Sequence, residues 1–270
     1  MTVINSPGSD APELLVEQRG AVLWLSINRE ARRNAMSHSV LAQMQQAIDT
    51  AQSNRHILAI VITGVGTKAF CAGADLQSAQ AFTTDYSDPT GHLARLLRSA
   101  KDSHIPLVAR VNGACMAGGM GLMAMCDMAV STPEAVFGLP EVKVGVFPAQ
   151  VLAVLQHLIP KRKLAEMCLT GESISSAQAL EIGLINYVSD ANTGLEGLDA
   201  KLQWLLDRLL DKSPAAIRRG LYTMKKIEAM SFEEAMSFTE SQIALFTLTE
   251  DAVEGQKAFQ EKRKPVWIGR

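Results

Sequence analysis

From Leu107 to Gly121 the sequence changes character within a few residues, and this stretch limits the fold more than any other. Leu107-Val108-Ala109-Arg110-Val111 reads as a buried strand. It enters a glycine-rich turn, Asn112-Gly113-Ala114-Cys115-Met116-Ala117-Gly118-Gly119-Met120-Gly121, which opens a helix near Gly118 that runs to about Cys126. An interior strand of this kind needs cover on both faces. With 270 residues and 47% apolar content, the chain is ample for such a core. It suits one large domain, or a core with an appendage.

The surrounding pattern fits a βα core followed by helices. Leu14–Gln18 and Ala21–Asn28 read as two strands of a hairpin around Gly20. Ser37 to about Ser53 reads as a helix with Val40, Met44, Ala47, Ile48 and Ala51 on one face. Leu58–Thr63 is a buried strand ended by the Gly64–Gly66 turn, and Phe70–Ala74 is a short extended piece. Gly91–Ser103 is helical, and Pro106 separates it from the Leu107 strand. Met128–Ser131 and Val136–Gly138 are short strands. Beyond Pro148 helices dominate, broken by one strand at Ile185–Val188. Ser175 with Gln178 and Ser231 with Glu234 make capping boxes, and Ser213-Pro214 fits an N-cap followed by proline. The expected division is a core over residues 1–200 and a helical region over 201–270.

Several classes of function are disfavoured. A net charge of −2 gives no drive toward nucleic acid or a membrane surface, so small-molecule chemistry is expected. The opening residues are polar and lack a basic start followed by an apolar stretch, so no signal peptide is expected. No run of about 18 apolar residues occurs. Cys71, Cys115, Cys126 and Cys168 match no zinc spacing, and reduced thiols in a cytoplasmic protein are expected. The five histidines are scattered, so no metal site is expected. There is no G-x-S-x-G elbow and no P-loop. Gly119-Met120-Gly121-Leu122-Met123-Ala124 formally fits G-x-G-x-x-A, but its glycines fall inside the expected helix rather than at a strand-to-helix turn.

Three segments carry candidate chemistry. In Phe70-Cys71-Ala72-Gly73-Ala74-Asp75-Leu76 a strand runs into small residues that let a ligand approach the backbone, leaving the Ala74 amide as a donor. An ordinary tight turn reads the same way. In the glycine-rich turn, the amides that open the helix near Gly118 have no internal partner and suit an anionic oxygen. A glycine pair permitting close helix packing is the alternative. In Phe137-Gly138-Leu139-Pro140-Glu141-Val142-Lys143, Glu141 stands amid apolar residues, which raises a carboxyl pKa and suits proton transfer. It could equally be a loop carboxylate paired with Lys143.

The three segments in this order, together with Asn28-Arg29-Glu30-Ala31-Arg32-Arg33-Asn34-Ala35-Met36 and the terminal Ala258-Phe259-Gln260-Glu261-Lys262-Arg263-Lys264-Pro265, resemble the enoyl-CoA hydratase/isomerase (crotonase) family over nearly the whole chain. The resemblance implies an α/β fold, a spiral of ββα turns followed by a helical trimerisation region. It implies a homotrimer or homohexamer acting on an acyl-CoA thioester. No separate cofactor is implied, coenzyme A being part of the substrate. By motif position, the amides of Ala74 and Gly118 would hold the thioester oxygen as an enolate, and Glu141 would move the proton. Ala31, Arg32, Arg33, Ala72, Asp75 and Leu76 would flank coenzyme A, the arginines matching phosphate geometry unless they are solvated surface. Phe259 and Lys262 match positions that reach a neighbouring subunit's ligand.

One departure bears on the reaction. Hydratases of this family hold water between two glutamates; the later matches Glu141, and the earlier falls at Gly121. A single glutamate is how the family's Δ3,Δ2-enoyl-CoA isomerases work. Yet Gly119–Leu122, Pro140-Glu141, Val146-Phe147-Pro148-Ala149-Gln150 and Lys262–Trp267 resemble a branch of isohexenylglutaconyl-CoA and methylglutaconyl-CoA hydratases. The leading expectation is a 2-enoyl-CoA hydratase for a 3-branched acyl chain. An isomerase or decarboxylase using Glu141 alone comes second. A non-catalytic coenzyme A- or RNA-binding homologue comes third.

Overall fold

The computed structural model describes residues 11–75 and 90–270. The chain opens with a hairpin, β1 (Leu14–Arg19) and β2 (Val22–Ile27), whose strands pair antiparallel across Gly20, a residue with φ of 59°. A 3₁₀ turn at Glu30–Arg32 leads to helix α1 (His38–Ala51), capped by the Ser37 hydroxyl accepting from the Val40 amide. Next come β3 (Ala59–Gly64), β4 (Ala69–Cys71) and α2 (His92–Asp102). Two further turns of the same kind follow. The first is β5 (Leu107–Val111), β6 (Ala114–Met116) and α3 (Gly118–Ala124). The second begins with β7 (Met128–Ser131) and β8 (Val136–Gly138), then a 3₁₀ turn at Pro140–Val144 and helices α4 (Leu152–Leu155) and α5 (Lys161–Thr170).

Within each turn the first strand joins one sheet and the second joins another. β1-β2-β3-β5-β7-β10 form a six-stranded sheet and β4-β6-β8-β9 a four-stranded one, where β9 is Ser173–Ser175 and β10 is Tyr187–Val188, with helix α6 (Ser176–Glu181) between them. Pairs β2/β3, β3/β5 and β5/β7 are parallel, as are β4/β6 and β6/β8. The chain therefore climbs as a spiral of ββα turns.

Sequence periodicity explains the layering. Ala59 and Val61 of β3 face one side of the large sheet, where Val22, Val108 and Val130 meet Leu198, Leu202, Leu205 and Leu206 of α7 (Gly194–Leu210). Ile60 and Ile62 face the other side, in the main core with Met44, Ile48, Phe70, Leu96 and Phe137. Both faces are buried, so the strands read as unbroken apolar runs. Helices α8 (Pro214–Ile227), α9 (Phe232–Thr247) and α10 (Glu250–Gln260) complete the chain. Their large apolar side chains are not all covered: Met224, Phe232, Ile243, Leu248 and Phe259 stand exposed.

Two strands depart from the sequence reading. The glycine-rich turn contains β6, and Ser173–Ser175, read as part of a helical stretch, forms β9. Each has three residues, too few for an alternation to register, and each forms by pairing with strands distant in sequence, β6 with β4 and β8, β9 with β8. Both capping boxes and the Ser213 cap are present as expected. No helix among the described residues is long and apolar enough to cross a membrane.

Candidate active site

Two bends meet at the end of the small sheet. β4 runs into Ala72-Gly73-Ala74, and β6 runs into Ala117-Gly118 at the start of α3. Gly73 has φ of 102°, and a Cβ built on it would stand 2.7 Å from the Ala117 Cβ and 3.4 Å from the Gly118 nitrogen. A Cβ on Gly118 would stand 3.8 Å from the Ala74 nitrogen. With standard backbone dimensions, the two amide nitrogens lie within about 6 Å of each other. That spacing allows both to donate to one oxygen, each at a normal hydrogen-bond length. Neither amide has an acceptor among the described residues.

Backbone strain marks the same point. Ala117 holds φ 52° and ψ −125°, a conformation that non-glycine residues rarely adopt. Its amide donates to the Gly138 carbonyl at 2.9 Å, and its carbonyl accepts from the Met120 amide at 2.9 Å, so both neighbours hold the twisted unit in place. The Gly118 N–H is thereby left free of the small sheet.

Two asparagines brace the bends from beneath. Asn34 and Asn112 are buried, and both side-chain amides converge on the Ala69 carbonyl, at 2.7 and 3.2 Å. Asn34 also binds the Val65 carbonyl and the Arg29 amide, while Asn112 binds Gly66 O, Gly64 N and the Thr63 hydroxyl. The β3–β4 and β5–β6 connections are thus fixed to one another by groups that would be costly to leave unpaired. The bend at Ala74 is held to the chain before α1 by Met36 N donating to Gly73 O and Asp75 N donating to Met36 O.

Glu141 lies in the 3₁₀ turn Pro140–Val144, half-buried. Its Oε2 is shielded from solvent and has no hydrogen-bond partner among the described residues. Burial raises its pKa above the ordinary carboxylate range, opposed only by a hydrogen bond from its own backbone. The pairing with Lys143 does not form, because Lys143 bridges to Glu172 at 3.0 Å. An acidic group without a cation, buried and raised in pKa, is suited to exchanging protons near neutral pH. Burial, reinforced by the Glu141 charge, also raises the thiol of Cys168 on α5.

The remaining expected residues are distributed as follows. Arg33 and Ala72 are joined, Ala72 N donating to Arg33 O at 3.1 Å, so the Ala31–Arg33 segment lies against the Ala74 bend. Ala31, Arg32 and Arg33 are exposed. Asp75 is buried, and its carboxylate is bound by Arg29 at 2.6 Å; Arg29 also bridges to Glu13 at 2.8 Å. Leu76 lies outside the described residues. Phe259, 86% exposed, is on α10, and Lys262 follows that helix with φ of 53°. Sequence reasoning missed Arg29 as the partner of Asp75, and missed Val151, which packs on Gly121. No local signal marks either contact. The glycines of Gly119-Met120-Gly121 lie inside α3, which removes the context a dinucleotide-binding turn requires. Among the described residues, no group of three His, Cys, Asp or Glu is placed to hold a metal ion.

Paired ββα turns whose small-residue bends leave two neighbouring amides open define, with the half-buried Glu141 carboxylate, a crotonase-fold enzyme. The whole chain bears this out in comparison with known proteins. It matches the enoyl-CoA hydratase/isomerase family over residues 17–270, and it belongs to that family. It is 33% identical to the 2,3-dehydroadipyl-CoA hydratase of Escherichia coli over 262 residues, covering 96% of this chain and 99% of that one. It is 34% identical to the mevalonyl-coenzyme A hydratase sidH of Aspergillus fumigatus, covering 91% of each chain. The crystal structure of an enoyl-CoA hydratase from Mycobacterium smegmatis superposes with a TM-score of 0.88 at 30% identity, covering 95% of this chain and 99% of that one. The protein is thus an enzyme of a family of hydratases and isomerases that act on acyl-CoA thioesters.

Proposed function

We propose that this enzyme adds water to a 2-enoyl-CoA thioester, with a 3-branched acyl chain as its substrate class. The observation that carries the reading is the pair of neighbouring amides, Ala74 and Gly118, with no acceptor among the described residues. Held there, the thioester oxygen takes up negative charge as the enolate forms, against donors that need no reorganisation. Removing one such donor typically costs about a hundred- to a thousand-fold in rate. Water bonds through oxygen to C3 of the acyl chain, one of its protons passes to Glu141, and a proton from Glu141 reaches C2. The raised pKa of Glu141 supports both transfers.

Ala31, Arg32, Arg33, Ala72, Asp75 and Leu76 flank coenzyme A in this reading, with the exposed guanidinium groups meeting phosphates. Phe259 and Lys262 reach a neighbour's ligand in a homotrimer or a hexamer of two trimers. The exposed apolar side chains of the C-terminal helices support such an assembly. A branched chain draws support from the relative named for a mevalonyl thioester, an acyl group branched at its third carbon.

A second reading, double-bond migration or decarboxylation through Glu141 alone, is favoured by Gly121, which puts no side chain in the site. Product analysis on crotonyl-, methylglutaconyl- and isohexenylglutaconyl-CoA separates the two. Hydration of a branched thioester supports the first reading, and hydration of crotonyl-CoA alone keeps water addition but removes the branched chain. A shifted double bond or released carbon dioxide, without added water, replaces it with the second.

A further inference from the structure

Gly121 lies one turn beyond Gly118 in α3, so the two share a helix face. A Cβ built on Gly121 would stand 2.7 Å from Cγ1 of Val151 and 3.4 Å from its Cβ. The first distance is shorter than real side chains tolerate. Val151 cannot easily yield. It is 3% exposed, its β-branched side chain has few rotamers, and its carbonyl accepts from the Leu155 amide at 3.0 Å at the start of α4. Leu155 is itself fully buried. α3 and α4 therefore approach closely because position 121 carries no side chain, and an aliphatic methyl fills the space a side chain there would enter.

We propose that Val151 is a specificity-determining residue. By occupying the volume next to position 121, it keeps the site to one acid–base side chain, Glu141, and sets the ratio of water addition to double-bond migration. The inference rests on the enolate reading above. In migration, Glu141 takes a proton from one carbon and returns a proton to another, with no net gain of atoms. In hydration, a water must also be oriented for its oxygen to bond to C3, and a single carboxylate with no second acid–base side chain at position 121 holds it at one end only. Val151 and Gly121 act as a matched pair: changing either alone leaves the second position closed or empty.

The test compares wild type, G121E, V151A and G121E/V151A on crotonyl-CoA and its 3-enoyl isomer, scoring hydration against migration on the same preparation. That ratio does not change with the fraction of protein folded. The expected result is a ratio at least tenfold higher in the double variant than in either single variant, with G121E alone showing a lowered Tm and no gain. The inference is overturned if G121E alone keeps the wild-type Tm and matches the double variant. It is also overturned if the double variant binds acetyl-CoA like wild type and its ratio stays unchanged.

Should the double variant not fold, G121A and G121A/V151A carry the test. Loss of Tm in G121A, at least half restored by V151A, supports the steric pairing; strictly additive losses refute it. E141Q separates the two levels of argument. If E141Q abolishes both reactions while the double variant leaves the ratio alone, the Val151 inference fails and the enolate reading stands. If E141Q retains both reactions, the reading itself fails; if wild type turns over neither compound, the same comparison is run on methylglutaconyl-CoA and its double-bond isomer, and no turnover there fails the reading.

Discussion

Replacing Glu141 by glutamine tests the chemistry and the electrostatics of the site in one variant. Oε2 is shielded, and with Lys143 committed to Glu172 no cation among the described residues compensates the charge. General acid–base catalysis by a positioned group contributes about a hundred- to ten-thousand-fold. E141Q should therefore lose kcat by that factor, equivalent to about 3–5 kcal/mol of barrier. Stability should move in the opposite direction. Burial raises the folded-state pKa of Glu141, so its contribution to stability is fully present below its unfolded pKa and is lost as pH rises through the folded one. Near pH 8 the ionised carboxylate is a burden that glutamine, neutral at every pH, does not impose. The Tm of E141Q relative to wild type should accordingly rise from pH 4 to pH 8. The acid limb of wild-type kcat/KM should lie above the ordinary carboxylate range and disappear in the variant. Steady-state kinetics and thermal melts across that range provide the check. A kcat within tenfold of wild type, with a Tm difference that is flat in pH, would refute both the proton-transfer role and the buried, unpaired carboxylate.

Other parts of the site give independent tests. G73A must place a methyl 2.7 Å from the Ala117 Cβ at φ of 102°, costing about 1–3 kcal/mol in backbone strain. Because the Ala74 amide moves with it, kcat should fall about a hundredfold, read by kinetics and a denaturant melt. N112A leaves the Gly64 amide and the Gly66 carbonyl without their side-chain partner, at about 1–3 kcal/mol for each buried group left unsatisfied, visible as a lowered midpoint in urea. R32A/R33A should raise KM for acyl-CoA by about ten- to a hundredfold through lost charged hydrogen bonds with kcat nearly unchanged, and an unaltered KM would return both arginines to solvated surface. Mass measurement in solution should find three or six chains. The charged substitution F259E, at an 86% exposed aromatic, should weaken that assembly, and a monomeric wild type would remove the proposal.

How far the sequence reveals this protein depends on which atoms do the work. Periodicity exposes the hairpin and the buried strands β3 and β5, and short capping motifs expose the caps at Ser175, Ser213 and Ser231, because each is a local pattern answered by a local structure. β6 and β9 stay hidden because their pairing comes from strands distant in sequence, β4 and β8 for β6 and β8 for β9. The candidate site divides in the same way. Small residues at Gly73-Ala74 and Ala117-Gly118 are visible in the sequence, but a backbone donor has no residue type of its own. Its only signature is the absence of a side chain, which tight turns and close-packed helices share. That two such bends face each other follows from β4 and β6 being neighbours in one sheet, a fact of topology that the resemblance to a family could supply and residue patterns could not. Glu141 has a side-chain signature, yet its meaning turned on where Lys143 went, and Glu172, outside the motif, decided that. Gly121 is the sharpest case. In sequence it reads as a carboxylate lost, whereas in three dimensions the Val151 methyl fills the space beside it. A substitution at either position must therefore be reasoned about as a change to both, since the glycine is what allows the valine to stand where it does.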